Sequence, residues 1–217
     1  LDVPGLGLVP TGGPNSVAVS NGLVAVAVEN DDSTAPGFVA FFDTDGNPIN
    51  AVIAGVRPYS LTFSPDGSRV LVANEGEPDG GVDPPGSVSI IDLSVGAASL
   101  TQADVTDVDF TSFNGQEEAL RNKGVRIFPG KLAGEDFEPE YVTVSPDGTT
   151  AFVTLQEANA FAVVDIATAT VIDISPAGVK DHGVGLPEVT TYDFADLPDL
   201  GSTATGEVIK LGGLSGL

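Results

Sequence analysis

Three segments of this chain share one pattern, and this repeat constrains the fold more than any other feature. The segments begin at Pro14, Pro58 and Pro139, and each one turns at a glycine and continues into a second apolar run. In two segments the turn is Ser-Pro-Asp-Gly, in which proline presets φ and glycine accepts the positive φ of a tight turn. The repeat therefore predicts antiparallel strand pairs joined by short turns.

Each pair of runs is followed by a third run that ends in aspartate, at Asp43, Asp92 or Asp165. Strand, turn, strand, loop and strand at a spacing of about 44 residues is typical of a β-propeller blade. The step from the second segment to the third is longer, which predicts an insertion. We therefore predict an all-β propeller of about three clear blades plus partial ones, forming part of a larger propeller.

The spacing also predicts the boundaries within this single propeller domain or fragment. The blades are expected at about 14–56, 57–103 and 136–178, with the insertion at about 104–135. The insertion holds one convincing helix, near residues 116–123, and Gly124 is well placed to cap it. Residues 206–217 are expected to start either a further blade or another module.

The charge balance excludes several classes of function. The 8 Lys and Arg residues face 31 Asp and Glu residues, a net charge of −23, and a field of this sign repels nucleic acid. The apolar runs are shorter than the roughly 18 residues of a membrane span. Without cysteine, the chain has no disulfide, thiolate nucleophile or thiolate metal site. An acidic chain without cysteine or an initiator methionine favours a secreted or cell-surface protein.

The repeat brings a glutamate to the end of the second strand of every unit. Loops between second and third strands share one face of a propeller with the approaches to first strands, so more carboxylates are expected on the same rim. The ten residues that we call the acidic rim are Glu29, Asp31, Asp32, Glu75, Glu77, Asp79, Asp83, Glu138, Glu140 and Glu157. Crowded carboxylates repel one another unless they are hydrated or bridged, and Ca²⁺ prefers oxygen ligands. We predict Ca²⁺ on this rim, centred on the loop from Glu75 to Asp83. The alternative is a solvated acidic face.

Half of the basic residues lie within the insertion, at Arg121, Lys123, Arg126 and Lys131. They are candidates for binding a phosphate-bearing ligand, because arginine offers forked donors. The alternative is that this patch docks onto the acidic residues that follow it, which are Glu135, Asp136, Glu138 and Glu140.

The remaining motifs carry weaker signals. Residues 43–47, Asp-Thr-Asp-Gly-Asn, resemble a calcium loop but lack its spacing, and a hairpin turn fits them better. His182 is the only histidine and is expected in a loop. Ser215 stands beside a glycine without the strand, turn and helix of a nucleophile elbow. Nothing in the sequence assembles a nucleophile, a base and an oxyanion donor, so the case for an enzyme is weak.

These repeats resemble surface propellers of the YVTN type and, more closely, the choice-of-anchor I family of exported bacterial proteins. The stretches that carry the resemblance lie in order between about residues 12 and 182; they are 13–19, 72–78, 86–93, 124–128, 138–141 and 153–160. Residues 206–217 instead resemble the opening of a phytase-like, esterase-like module. The resemblance implies export and a propeller fold, without giving this segment a catalytic activity.

We therefore expect an extracellular or cell-surface module that binds or scaffolds, stabilised by Ca²⁺. Its partner is expected to be a protein, a surface or further blades of the same polypeptide. One alternative is a Ca²⁺-dependent phosphoesterase of the phytase or alkaline-phosphatase type, in which rim ions would hold the substrate phosphate. Another is a structural subunit of an extracellular assembly.

Overall fold

The computed structural model describes residue 6 and residues 11–178, 199–202 and 208–210. The chain divides into two compact units, residues 1–179 and 180–217. The first unit contains three four-stranded antiparallel sheets, each with its strands in sequence order.

Each sheet is one blade. Blade 1 consists of β1 (Pro14–Ser20), β2 (Leu23–Val28), β3 (Pro36–Asp43) and β4 (Pro48–Val56). Blade 2 consists of β5 (Pro58–Phe63), β6 (Arg69–Asn74), β7 (Ser87–Asp92) and β8 (Val105–Val108). Blade 3 consists of β9 (Pro139–Val144), β10 (Thr150–Leu155), β11 (Ala160–Asp165) and β12 (Thr170–Pro176). The prediction of an all-β propeller architecture is confirmed.

The turn that the sequence repeats closes the first hairpin of blades 2 and 3. The Gly67 amide donates to the Ser64 carbonyl at 2.8 Å, and Gly67 and Gly148 have φ values of +72° and +74°. The Asp66 carboxylate accepts hydrogen bonds from Ser64 Oγ and from the hydroxyl and amide of Ser68. These bonds lower the pKa of Asp66 to about 2. The predicted turn chemistry is thus confirmed.

The turns fix a common register, so positions correspond from blade to blade. Val19–Val24, Phe63–Val70 and Val144–Ala151 are equivalent pairs beside the three turns. Ala25, Leu71 and Phe152 therefore occupy equivalent positions on the second strands. This equivalence allows the faces of the three sheets to be compared residue by residue.

Successive blades pack face to face. We call the face of a blade that points toward the blade following it in sequence its leading face, and the opposite one its trailing face. The leading face of blade 1 packs on the trailing face of blade 2 through a cluster that includes Ala25, Ala27, Val39, Leu61, Val70 and Val72. The leading face of blade 2 packs on blade 3 through a cluster that includes Leu71, Ala73, Val88, Val142, Ala151 and Val153. First strands contact one another and the second strand of the preceding blade.

The insertion between blades 2 and 3 contains helices α1 (Glu117–Lys123) and α2 (Ala133–Asp136). Gly124 ends α1 with φ +103°, in the left-handed region, which confirms the predicted cap. Leu120 and Phe137 join the core between these blades, where Phe137 packs edge-on against Phe110 with ring centroids 5.7 Å apart. The sequence assigned the insertion to residues from about 104. However, β8 occupies residues 105–108 as the fourth strand of blade 2, because it pairs with β7.

The second unit is described only as backbone, in β13 (Asp199–Ser202) and β14 (Val208–Lys210), which pair antiparallel. The interpretations of His182 and Ser215 fall outside the described residues, and so does most of the proposed module at residues 206–217. Among the described helices, none has the length and apolarity needed to cross a membrane.

Candidate functional site

The acidic rim begins where second strands end. Glu29 directly follows β2, and Glu75 directly follows β6. Glu157 lies two residues beyond the end of β10, so the register gives Gln156 the position of Glu75 in blade 3. The sequence alignment of these three glutamates is therefore one residue out in blade 3. Glu157 nevertheless lies among the rim carboxylates, because its charge acts on Glu75, Glu138 and Glu140.

Arg57, which sequence reasoning missed, lies between the carboxylates of blades 1 and 2. Its Nε is 3.1 Å from Glu75 Oε2 and 3.8 Å from Glu29 Oε1, and its Nη1 forms an ion pair with Glu77. The Nε and Glu75 Oε2 atoms lack hydrogen-bond geometry, so their attraction is electrostatic. The positive charge of one guanidinium thus partly offsets the negative charges of three predicted rim residues.

The conformation of Arg57 explains how it reaches them. Its φ is +51°, a left-handed value that few residues other than glycine adopt. In this backbone conformation the Arg57 carbonyl oxygen accepts a hydrogen bond from the Glu75 amide at 3.0 Å. The only signal available in the sequence was a basic residue directly before Pro58, the first residue of β5.

The loop carboxylates of the rim make local contacts. The Asp32 carboxylate accepts from the amide and hydroxyl of Thr34, and these bonds lower its pKa. Asp79 accepts from Ser33 Oγ at 2.6 Å, which joins the loops of blades 1 and 2, and Asp83 forms an ion pair with Lys131. Asp31 is exposed. Most carboxylates in the loop from Glu75 to Asp83, where the sequence centred the Ca²⁺ prediction, thus already face protein partners.

Blade 3 holds carboxylates of a different kind, at Glu138, Glu140 and Glu157, which we call the Glu138 cluster. Glu140 is only 8% exposed, and Glu157 Oε2 is buried without a hydrogen-bond partner among the described residues. In the part of the chain that the structure describes, no Lys or Arg side chain forms an ion pair with any of the three. The cluster therefore carries charge that this part of the protein does not balance with a cationic side chain.

The electrostatics of the cluster follow from this imbalance. Burial, together with the charges of Glu157, Glu75, Asp136 and Glu140, raises the pKa of Glu138 to about 7. Burial also raises the pKa of Glu140, with a further contribution from Glu157. The pKa of Glu75 is raised by burial, although Arg57 opposes the shift. Ionisation of these glutamates thus costs free energy that a bound cation would recover.

The geometry of the carboxylates is not that of a preformed metal centre. Among residues 6, 11–178, 199–202 and 208–210, no three His, Cys, Asp or Glu side chains are arranged as ligands of a single ion. Residues 43–47 form the expected hairpin turn, in which the Asp43 carboxylate accepts from the amides of Asp45 and Asn47. The interpretation of this motif as a turn is confirmed.

The basic residues of the insertion mostly face protein groups. The Arg121 guanidinium donates to the carbonyls of Ile127 and Phe128, while Arg126 donates to the Glu157 carbonyl and lies over the Phe128 ring. Lys131 pairs with Asp83 rather than with the acidic residues that follow it in sequence. Lys123 is exposed at the end of α1. Three of the four candidate anion ligands therefore hold the insertion together or join it to the rim.

Comparison with solved structures returns β-propellers of low sequence identity. A hydrazine synthase of Kuenenia stuttgartiensis is 15% identical, with a TM-score of 0.44 over 71% of this chain and 40% of that one. The propeller domain of the Trilobed protease of Pyrococcus furiosus is 11% identical, with a TM-score of 0.42 over 76% of this chain and 41% of that one. A chain of a nidogen/laminin complex is 16% identical, with a TM-score of 0.42 over 77% of this chain and 49% of that one. This chain thus spans less than half the length of each.

The family comparison is more direct. No curated protein matches the sequence. The family model of the choice-of-anchor I domain matches residues 5–201, which include all three blades, the insertion and the rim. The propeller sheets and this match lead to one conclusion: the chain belongs to the choice-of-anchor I family.

Proposed function

We propose that this chain is a propeller module of an exported or cell-surface protein, and that it works by binding and scaffolding with Ca²⁺ on its acidic rim. The observation that carries the calcium proposal is the Glu138 cluster, whose buried and partly buried carboxylates form no ion pair with a Lys or Arg side chain among the described residues. Membership of the choice-of-anchor I family supports the cell-surface location.

Ca²⁺ suits this cluster for three reasons. It takes six to eight oxygen ligands with flexible geometry, so it tolerates carboxylates that are not rigidly preset. Glu138 is only partly buried, and it lies close enough to Glu140 and Glu157 for their charges to raise its pKa. Binding a divalent ion would also offset the repulsion that raises the pKa of Glu138 and Glu140. We therefore centre the ion on blade 3 rather than on the loop from Glu75 to Asp83.

The rim is also the surface through which scaffolding contacts are expected. A rim of this charge attracts cationic groups over several ångströms and repels nucleic acid and anionic lipid. We propose that a basic or Ca²⁺-bridged protein surface is the partner. No described contact favours the phosphoesterase alternative, which enters the experiment as a measured outcome.

The test is thermal unfolding of the full chain with about 10 mM CaCl₂ and with EDTA, run beside hydrolysis of a phosphomonoester. Extracellular modules bind Ca²⁺ with Kd values of about 0.1–1 mM. At about 1 mM, 10 mM Ca²⁺ stabilises by about 1.4 kcal/mol, which raises Tm by roughly 3–6 °C for a domain of this size. Mg²⁺ at the same ionic strength is the control.

Glu157→Gln separates a specific site from general screening. This change removes one ligand charge from the cluster, and we expect it to abolish most of the Ca²⁺ response. The matched control is Asp173→Asn, an exposed carboxylate on β12, which should retain the full response. An equal response in both variants, or none in the wild type, would overturn the calcium proposal. Ca²⁺-dependent hydrolysis of the phosphomonoester would instead support the phosphoesterase alternative over the binding role.

A further inference from the structure

A pocket of about 320 Å³ opens on blade 3 beside the Glu138 cluster. The aromatic side chains of Tyr141 and Phe161 line this pocket, and they are 61% and 42% exposed. Glu140 lines it as well, although its side chain belongs to a residue that is only 8% exposed. The pocket therefore combines apolar walls with a carboxylate that is largely withdrawn from bulk water.

A β-bulge brings the carboxylate and one aromatic ring to the same site. Glu140 and Tyr141 on β9 lie together opposite the single residue Thr154 on β10. The Tyr141 amide donates a hydrogen bond to the Thr154 hydroxyl at 2.9 Å, which fixes the irregular part of the strand. Because a bulge changes the direction of the side chains on its strand, two consecutive residues both line the pocket.

The turn between β10 and β11 forms another part of the lining, and hydrogen bonds hold it in place. The Asn159 amide donates to the Gln156 carbonyl at 3.0 Å, and the Ala177 amide donates to the Asn159 carbonyl at 2.8 Å. Asn159 Nδ2 donates to the Gly178 carbonyl at 2.9 Å. This part of the pocket is thus ordered before any ligand binds, which lowers the entropic cost of binding.

The Glu140 carboxylate has no partner among the described residues. No side chain in that part of the chain donates a hydrogen bond to it, and no Lys or Arg forms an ion pair with it. Withdrawing a carboxylate from water without such a partner costs free energy. A cation bound in the pocket would recover this cost.

The protein itself shows which kind of cation suits these surroundings. At the junction of blades 1 and 2, the similarly buried Glu75 faces the Arg57 guanidinium at 3.1 Å. In the insertion, Arg126 lies over the Phe128 ring, with Cζ 5.4 Å from the ring centroid. A guanidinium is more weakly hydrated than an ammonium group, and it can stack on aromatic rings while it donates to a carboxylate. The pocket offers both kinds of contact.

From these observations we propose that the pocket binds an arginine side chain of a partner protein, whose guanidinium donates to Glu140 and packs against Tyr141 and Phe161. The inference rests on the proposed binding role of the rim and names the group that the partner presents. An adjoining groove of about 200 Å³, lined by Tyr141, Phe152 and Phe161, takes an apolar residue next to that arginine in the partner chain. A free guanidinium compound would leave this groove empty, so the groove favours a polypeptide.

The test measures binding of a fluorescent peptide, Gly-Leu-Arg-Leu-Gly with blocked ends, to the full 217-residue chain in EDTA. Matched peptides carry lysine or citrulline in place of arginine, and argininamide is the free-ligand probe. We expect the arginine peptide to bind roughly fivefold or more tighter than the lysine peptide, because an ammonium group neither forks nor stacks. The uncharged citrulline peptide should not bind measurably.

Three variants locate the binding site. Glu140→Gln should weaken binding of the arginine peptide by roughly tenfold or more, since it removes one partner of a desolvated charge pair. Phe161→Ala should weaken it by roughly fivefold through loss of an aromatic wall. The matched control is Asp173→Asn, an exposed carboxylate on β12, which should leave binding unchanged. Thermal unfolding of each variant confirms that it is folded.

Several outcomes would overturn the proposal. Equal affinity for the arginine and lysine peptides, or an equal loss in Asp173→Asn, would leave only the general attraction of an acidic protein for cations. Argininamide binding as tightly as the peptide would overturn the assignment to a partner protein. A Ca²⁺ response without arginine selectivity would refute the pocket but not the calcium proposal, whereas selectivity in EDTA without a Ca²⁺ response would do the opposite.

Discussion

Replacing Arg57 by glutamine tests whether one guanidinium holds the junction of blades 1 and 2 together. The change removes the cation that faces Glu29, Glu75 and Glu77 and leaves Glu75, which is only 7% exposed, without a described cationic partner. Glutamine is preferred to glycine because glycine would also relieve the positive φ at this position.

The expected magnitude follows from the geometry of the ion pair. At 3.1 Å the Arg57–Glu75 attraction is about 5 kcal/mol at an effective dielectric of about 20, before the cost of desolvation. Breaking a fully buried pair costs about 3–5 kcal/mol. Because the Arg57 side chain is 29% exposed, we expect a loss of about 2 kcal/mol, or roughly 4–8 °C in Tm, at pH 7.

The dependence on pH gives the sharper result. The pKa of Glu75 is already raised above 4.5 by burial, and loss of Arg57 raises it further. A glutamate with a raised native pKa destabilises the fold as pH rises above its unfolded value, so the penalty of Arg57→Gln should shrink from pH 7 to pH 4. Urea unfolding at both pH values measures it, and Glu75→Gln in the same background should restore much of the loss. A penalty that is absent at pH 7, or equal at both pH values, would refute this reasoning.

Three further predictions concern the rim and the blade junctions. Because the pKa of Glu138 is raised from 4.5 to about 7 in the folded state, the free energy of unfolding should fall as pH rises through that interval. Glu138→Gln should therefore stabilise the fold by about 1 kcal/mol at pH 8 in EDTA and have no effect at pH 4. Urea unfolding at both pH values measures the difference. Ca²⁺ should raise Tm in the wild type and much less in Glu157→Gln, and the response should weaken at pH 5 because protonated carboxyls bind Ca²⁺ poorly. Gly86→Ala should destabilise by about 2 kcal/mol or more, because its Cβ would lie 2.3 Å from the Phe137 carbonyl oxygen, whereas Gly13→Ala has open space and should be near neutral.

The blades could be predicted from sequence because their information is local and repeated. Proline and glycine in the Ser-Pro-Asp-Gly turn fix backbone angles wherever they occur, so the first hairpins of blades 2 and 3 follow from four residues each. The cap at Gly124 is readable for the same reason. The end of blade 2 was predicted too early, at about residue 103, because Val-Thr-Asp-Val carries little apolar periodicity; its pairing with β7 shows that residues 105–108 form the fourth strand.

The charge balance of the rim could be predicted only in part. Repeat alignment brought the glutamates to one region, but it could not show that Arg57 adopts a positive φ and turns toward them. It also misplaced Glu157 by one residue, because the glutamates were matched by residue type; counting from the Ser-Pro-Asp-Gly turns, which fix the register, places Gln156 opposite Glu75. Which carboxylates form an ion pair depends on backbone conformation and strand register in the folded protein.

Blade 3 differs from blades 1 and 2 in both charge and apolar burial, and the two differences adjoin. Glu140 of the Glu138 cluster and Tyr141, which is 61% exposed, are consecutive residues of β9 and line a common pocket of about 320 Å³. At the junction of blades 1 and 2, burial of the leading face coincides with charge neutralisation by Arg57, the residue directly before the first strand of the following blade. At the junction of blades 2 and 3, the residue directly before the first strand is Glu138, so a carboxylate stands where the first junction has a cation. This difference explains why unbalanced negative charge collects on blade 3, and it predicts opposite signs for the two substitutions: Arg57→Gln destabilises the first junction, whereas Glu138→Gln stabilises the second.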